Sequence, residues 1–179
     1  HPGDHAIVVT PSYQSLEEGL KYAGSEFTRV VLSPDDNWQL NIKEVAAAVR
    51  KNTRYIVLND PHNPSGALLK EKVKRELVIL AEKNDVLIFS DEVYRLLELN
   101  SNDRSKSITE MTSNGIALGT MAKPFGAGGM CIGWVACQDK IIVEKLLKAQ
   151  HLFAVCVSRP GEIQAMMALR SRDKIIAKN

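Results

Sequence analysis

The chain has 179 residues, 45% hydrophobic and 25% charged, with a formal net charge of +2. That length suffices for one packed domain, the composition is that of an ordinary globular protein, and the near-balanced charge provides no basic field for nucleic acid. No stretch reaches the roughly 20 apolar residues that span a bilayer, so no membrane-spanning helix is expected within the chain.

Six apolar runs rich in β-branched residues mark strands at 6–10, 27–32, 55–58, 86–89, 116–119 and 132–137. The first ends in TPSY, and Ser15 with Glu18 then forms a capping-box signature for a helix that Gly24 is placed to end. After the second run, Ile42, Val45, Ala46 and Val49 follow the helical i, i+3, i+4, i+7 spacing. The third run leads into NDPHNPSG and a second such stripe of Val73, Leu77, Leu80 and Ala81, and the fourth leads into SDEVY. The polar run at 99–110 reads as a surface connection, and the fifth strand leads into TMAK. From Lys140 onward the pattern is helical, with a break near 158–161.

Most of the apolar runs are continuous, as strands covered on both faces are, and they alternate with helices. The expected fold is therefore α/β, a three-layer sandwich with a mainly parallel central sheet, in which ligands collect at the carboxyl ends of the strands. The chain opens close to its first strand and closes on an unfinished helical pattern, which suggests a piece of a longer protein.

Candidate chemistry lies at those strand ends. Lys123 follows an apolar strand, so its base is expected to be anchored and partly enclosed; an amine acts as a nucleophile once burial or charge lowers its pKa from about 10.4. The alternative is a strand-end lysine pointing to water. Asp91 emerges from VLIFS, where a carboxylate needs a partner such as a protonated ring nitrogen or a metal; the alternative is the N-cap of a helix EVYRLL. Tyr94 could face the same pocket or pack in the core. Asn63, between Pro61 and Pro64, has a restricted backbone that presents its amide from a rigid turn, and Asn-Pro bonds in such turns can be cis. FGAGGMCIG lacks the third glycine of a dinucleotide loop and precedes a strand rather than a helix. Cys131, Cys137 and Cys156 form no Cys-x-x-Cys pair and meet no histidine at metal-ligand spacing. Neither a disulfide framework nor a metal site is expected, and a cytoplasmic setting is.

Taken together, PSY, NDPHNPSG, IFSDEVY and AKPFGAGGMCIGW resemble the class I and II aminotransferases, fold-type I enzymes that use pyridoxal 5'-phosphate. The resemblance runs over essentially the whole chain, as the major part of the cofactor-binding large domain; the family's N-terminal segment and C-terminal small domain are not matched. It implies that Lys123 forms a Schiff base with the cofactor and shuttles the proton, and that Asp91 pairs with the pyridine nitrogen. It further implies that Asn63 and Tyr94 hydrogen-bond the 3-oxygen, that Tyr13 stacks on the ring, and that Thr120 replaces a serine whose hydroxyl it can still supply. Cys131 stands where the family carries a phosphate-binding arginine, and Pro124 restricts Lys123. By the same resemblance the substrates are an amino acid and a 2-oxo acid and the assembly is a homodimer. Lyases, decarboxylases and synthases share these residues, and a catalytically silent relative with weakened phosphate binding is the remaining alternative.

Overall fold

The strands are β1 (His5–Thr10), β2 (Glu26–Val31), β3 (Thr53–Asn59), β4 (Leu87–Asp91), β5 (Gly115–Thr120) and β6 (Gly133–Cys137) in a computed structural model that describes residues 1–178. They form one sheet in the order β2-β1-β3-β4-β5-β6, parallel throughout except for β6, which runs antiparallel to β5. Parallel neighbours require crossovers, and four helices supply them: α1 (Ser15–Tyr22), α2 (Ile42–Ala48), α3 (Glu71–Lys83) and α4 (Ile108–Met111). The chain continues through α5 (Lys140–Phe153), α6 (Arg159–Arg170) and α7 (Arg172–Ile176).

One face of the sheet contributes Ile7, Val9, Ile56, Leu58 and Ile88 to a core closed by Val45 of α2 and by Leu77, Val78 and Ala81 of α3. The intervening residues Ala6, Val8 and Val57 are buried as well, so the central strands are covered on both sides. That double burial explains why their sequences run apolar without alternation. Each such side chain contributes roughly 1.5–3 kcal/mol. The edge strand β6 differs, with Trp134 44% and Val135 42% exposed. A smaller core of Met121, Phe125 and Ala165 holds the segment after β5 against α6.

Several local expectations change. The capping box at Ser15 does not form: Gln14 precedes the helix without a side-chain cap, and Glu18 pairs with Lys21 at 2.5 Å. Gly24 does end the α1 region, with φ of +70°. The polar run at 99–110 is not wholly a surface connection, because it enters α4 with Ile108 fully buried and with the Glu110 carboxylate accepting the Ser107 N–H. The break near 158–161 lies slightly earlier, since Ser158 caps α6 and Pro160 occupies its first turn, where a missing N–H is harmless. The buried stripe of α3 is centred on Lys74, Leu77, Val78 and Ala81; Val73 and Leu80 only flank the core.

Candidate active site

The segments leaving β1, β3, β4 and β5 meet around a cavity of about 330 Å³. Its lining includes Tyr13, Asn63, Asp91, Tyr94, Thr120 and Lys123, so all six residues singled out in the sequence come together. The register explains why: Asn59 pairs with Asp91 across β3 and β4, and Asp91 pairs with Leu118 across β4 and β5. β3 and β4 thus end at one level, and β5 runs two residues beyond it. A larger cavity of about 670 Å³ adjoins this one across Asn63 and Tyr94, but neither Asp91 nor Lys123 lines it.

Asp91 is the last residue of β4 and is 5% exposed. Its Oδ1 accepts the Val93 N–H at 3.1 Å, but residues 93–96 form a turn and no helix follows, so the reading of Asp91 as the N-cap of EVYRLL does not hold. That bond uses one of two oxygens. Among the described residues no lysine, arginine or histidine forms an ion pair with it, and burial above all raises its pKa above the usual carboxylate value. The Val93 N–H opposes that rise and the neighbouring Glu92 charge adds to it. A buried carboxylate in this condition favours a ligand that brings a positive N–H, and so the donor set fits a protonated pyridine nitrogen.

Asn63 is held by the backbone around it. The buried Asn59 side chain accepts the Asn63 N–H at 2.6 Å and donates to the Asp91 carbonyl at 2.8 Å. The turn closes with the Gly66 N–H donating to the His62 carbonyl, and Gly66 adopts φ of +74°, a left-handed conformation that glycine enters at little cost. The peptide bonds Thr10-Pro11, Asp60-Pro61 and Asn63-Pro64 are cis. Buried His62 lies 2.7 Å from the Pro11 carbonyl through Nε2, which must therefore donate, and Nδ1 accepts from the Ser65 hydroxyl at 2.6 Å. This imidazole joins the loop bearing Tyr13 to the turn bearing Asn63. The Asn63 amide then reaches the Tyr94 hydroxyl at 3.4 Å.

Lys123 is exposed, which corrects the expectation that its base would be partly enclosed. The anchors are its neighbours Met121 and Phe125, buried in the smaller core, while Lys123 itself rides the turn between them. Its Nζ stands 5.8 Å from the centroid of the Tyr94 ring, within cation–π range. Tyr13 is 61% exposed at the cavity rather than a core residue. The Thr120 hydroxyl donates to the Ile132 carbonyl at 3.3 Å and accepts the Ala122 N–H at 3.1 Å. Cys131 lies outside the lining, exposed, with φ of +52° and Sγ directed to the Gly128 carbonyl. Among the described residues no arginine lines the cavity.

Sequence reasoning missed three contributors. Ser15, freed from capping, lines the cavity, as does Gly133 at the start of the antiparallel β6. Asn59 was visible only as the polar end of a buried strand, the signal that could have marked it.

A family model described as aminotransferase class I and II matches residues 1–178. Kynurenine--oxoglutarate transaminase 1 of Mus musculus is 30% identical over 178 residues, covering 93% of this chain and 41% of that protein. An aspartate aminotransferase of Pyrococcus abyssi is 29% identical over 170 residues, covering 94% of this chain and 43% of that protein. Among solved structures, a PLP-dependent aminotransferase of Streptococcus suis superposes with a TM-score of 0.94 at 30% identity, over 100% of this chain and 47% of that one. The chain thus spans less than half the length of these relatives.

Proposed function

Because the chain belongs to the aminotransferase class I and II family, whose cofactor is pyridoxal 5'-phosphate, we propose that it carries the cofactor-binding centre of an aminotransferase. In this reading, residues 1–179 are the major part of the large domain of an enzyme that moves an amino group between an amino acid and a 2-oxo acid. The observation that carries it is the buried, cation-free Asp91 carboxylate lining one cavity with Lys123, Tyr94 and Asn63.

When bound, pyridoxal phosphate supplies an aldehyde to receive the amino group and a ring to draw electron density from the substrate Cα. Asp91 accepts the N–H of the ring nitrogen and keeps that proton in place. The Asn63 amide and the Tyr94 hydroxyl donate to the 3-oxygen, and Tyr13 covers a ring face. Lys123 Nζ would hold the cofactor at its aldehyde carbon and would be the amine placed to take up the proton of the substrate Cα. Thr120 would offer its hydroxyl to the phosphate.

A homodimer is part of the same proposal, supported by the exposed Leu152 and Phe153 of α5 and Met166 and Met167 of α6. A cytoplasmic setting is supported by three free thiols, two of them exposed. The test is borohydride reduction in the presence of pyridoxal phosphate, followed by peptide mapping. The label is expected on Lys123 and absent in Lys123→Ala; a folded parent protein without label at Lys123 would overturn the reading. Exposure to varied amino acids should then convert the bound aldehyde form to the amine form, whereas elimination or decarboxylation products would point to another reaction of the same cofactor.

A further inference from the structure

Behind the Asn63 turn lies an ion pair that the reaction does not touch. Lys74 on α3 and Asp60, two residues after the end of Leu58 in the chain and next to Asn59, meet at 2.9 Å with both side chains 3% exposed. Lys74 Nζ also donates to the Ser105 hydroxyl and to the Lys106 carbonyl, each at 2.9 Å. An ammonium has three hydrogens, and here each has an acceptor. Asp60 is equally committed: Oδ1 accepts the Leu69 N–H at 3.0 Å, and its backbone N–H donates to the Asp91 carbonyl at 3.0 Å.

Lys74 is therefore the point at which three pieces of chain are tied. They are helix α3, the turn that carries Asn63, and the connection that runs from Tyr94 towards α4. That connection is fastened again one step later, where the buried Glu92 carboxylate accepts the Ile108 N–H at 2.8 Å. Asn63 and Tyr94, whose side chains lie 3.4 Å apart, thus sit on two segments that share one buried cation as a common support.

The energetics favour a role in placement over one in bulk stability. A buried pair exchanged for apolar side chains is often no less stable, whereas removal of one partner strands the other without water or counter-charge. Pairs of this kind are best attested where they fix one arrangement among several.

We propose that Lys74 and Asp60 are positioning residues for the reaction, setting the Asn63 amide and the Tyr94 hydroxyl at a common distance from the cofactor's 3-oxygen. This rests on the functional reading above. Asn63 and Tyr94 would touch the cofactor; Lys74 and Asp60 act only through them.

The test is a pH titration of the bound cofactor's absorbance in the parent protein, Asn63→Ala, Lys74→Met and the double variant Asn63→Ala/Lys74→Met, each loaded with pyridoxal phosphate and checked for folding. Loss of a donor to the 3-oxygen raises the titration midpoint. Lys74→Met is expected to raise it in the same direction as Asn63→Ala, by up to about one pH unit, or tenfold in proton affinity. In the Asn63→Ala background it should add little, because contacts acting through one group are not additive. A folded Lys74→Met with the parent midpoint, or a shift that adds in full to that of Asn63→Ala, would sink the inference. If Lys74→Met does not fold, Asp60→Asn/Lys74→Met removes both charges together, and a parent-like midpoint in that variant has the same force. An unshifted Asn63→Ala, or no attachment at Lys123, counts against the functional reading instead.

Discussion

Asp91 titrates above the usual 3.8 because burial strips water from its charged form, an effect the Val93 N–H reduces and Glu92 reinforces. The folded chain then binds more protons than the unfolded one between the ordinary and the raised pKa. Stability must fall as pH rises through that window, and the cost is fully present above it. Without cofactor, Asp91→Asn is expected to melt at a higher temperature than the parent at pH 7, with the difference vanishing below the ordinary carboxylate pKa. Added pyridoxal phosphate should reverse the order, since only the parent gains a charged hydrogen bond to the ring nitrogen. Thermal scans with and without cofactor measure both. Cys131 makes a second case. Under the proposed function, in which the cofactor's phosphate lies within reach of a long side chain at this position outside the lining, Cys131→Arg should tighten pyridoxal phosphate by about tenfold to a hundredfold, the value of one charged hydrogen bond, and leave unphosphorylated pyridoxal unchanged in a binding titration. At this scale the sequence was informative: the six candidate residues could be picked from strand ends and motif order, and one cavity holds them. The exposure of Lys123 was not legible, because it depends on which neighbours of that turn enter the smaller core.

Elements were legible where period and burial agreed. The continuous runs of β1 and β3 read as doubly covered strands because they are, while β4 is buried on one face and half-buried on the other. α1 shows the opposite case. Its capping signature at Ser15 was overridden by a neighbouring charge, Lys21, which draws Glu18 away, and by Tyr13 and Gln14, whose carbonyls already receive the first N–H groups. His5 gives an element-scale prediction. At the start of β1 it is buried between Thr53 and Thr28, bridging to β3 and β2 with ring nitrogens at 2.8 and 3.0 Å. Burial first, then the Arg50 charge, lowers its pKa, with Glu26 opposing. The unfolded chain therefore binds the extra proton, and stability present above the ordinary value of 6.5 is lost as pH falls below it. Urea midpoints at pH 7.5 and pH 5 should differ in the parent, and the part due to this group should disappear in His5→Gln. Gly133 supplies another test: a Cβ there would stand 2.9 Å from the Gly119 carbonyl oxygen. Gly133→Ala should cost about 1–3 kcal/mol in chemical denaturation and loosen the cavity it lines.

Across the whole molecule, the two ends of the chain behave differently. The first two-thirds bury their apolar faces between sheet and helices, while α5 has no fully buried residue and presents Ile141, Leu147, Leu152 and Phe153 to solvent. A periodic helix pattern was readable there, but periodicity does not reveal what covers the stripe. Under the homodimer proposal the 179-residue chain should associate with rising concentration in sedimentation, and Leu152→Lys/Phe153→Lys should move it towards monomer; an unchanged distribution would remove α5 from the contact. The odd strand, β6, has a different implication. Because it runs back alongside β5, Thr120 and Gly133 are cross-strand partners, and residues 121–132 leave the sheet and return to it at adjacent positions. The entropy of closing such an excursion grows only with the logarithm of its length, about 0.6 kcal/mol for a doubling. Asp91 has no such freedom, being fixed by the register of three parallel strands. The amine and the acid of this centre can therefore diverge separately: insertions can re-aim the lysine while the carboxylate keeps its address in the sheet.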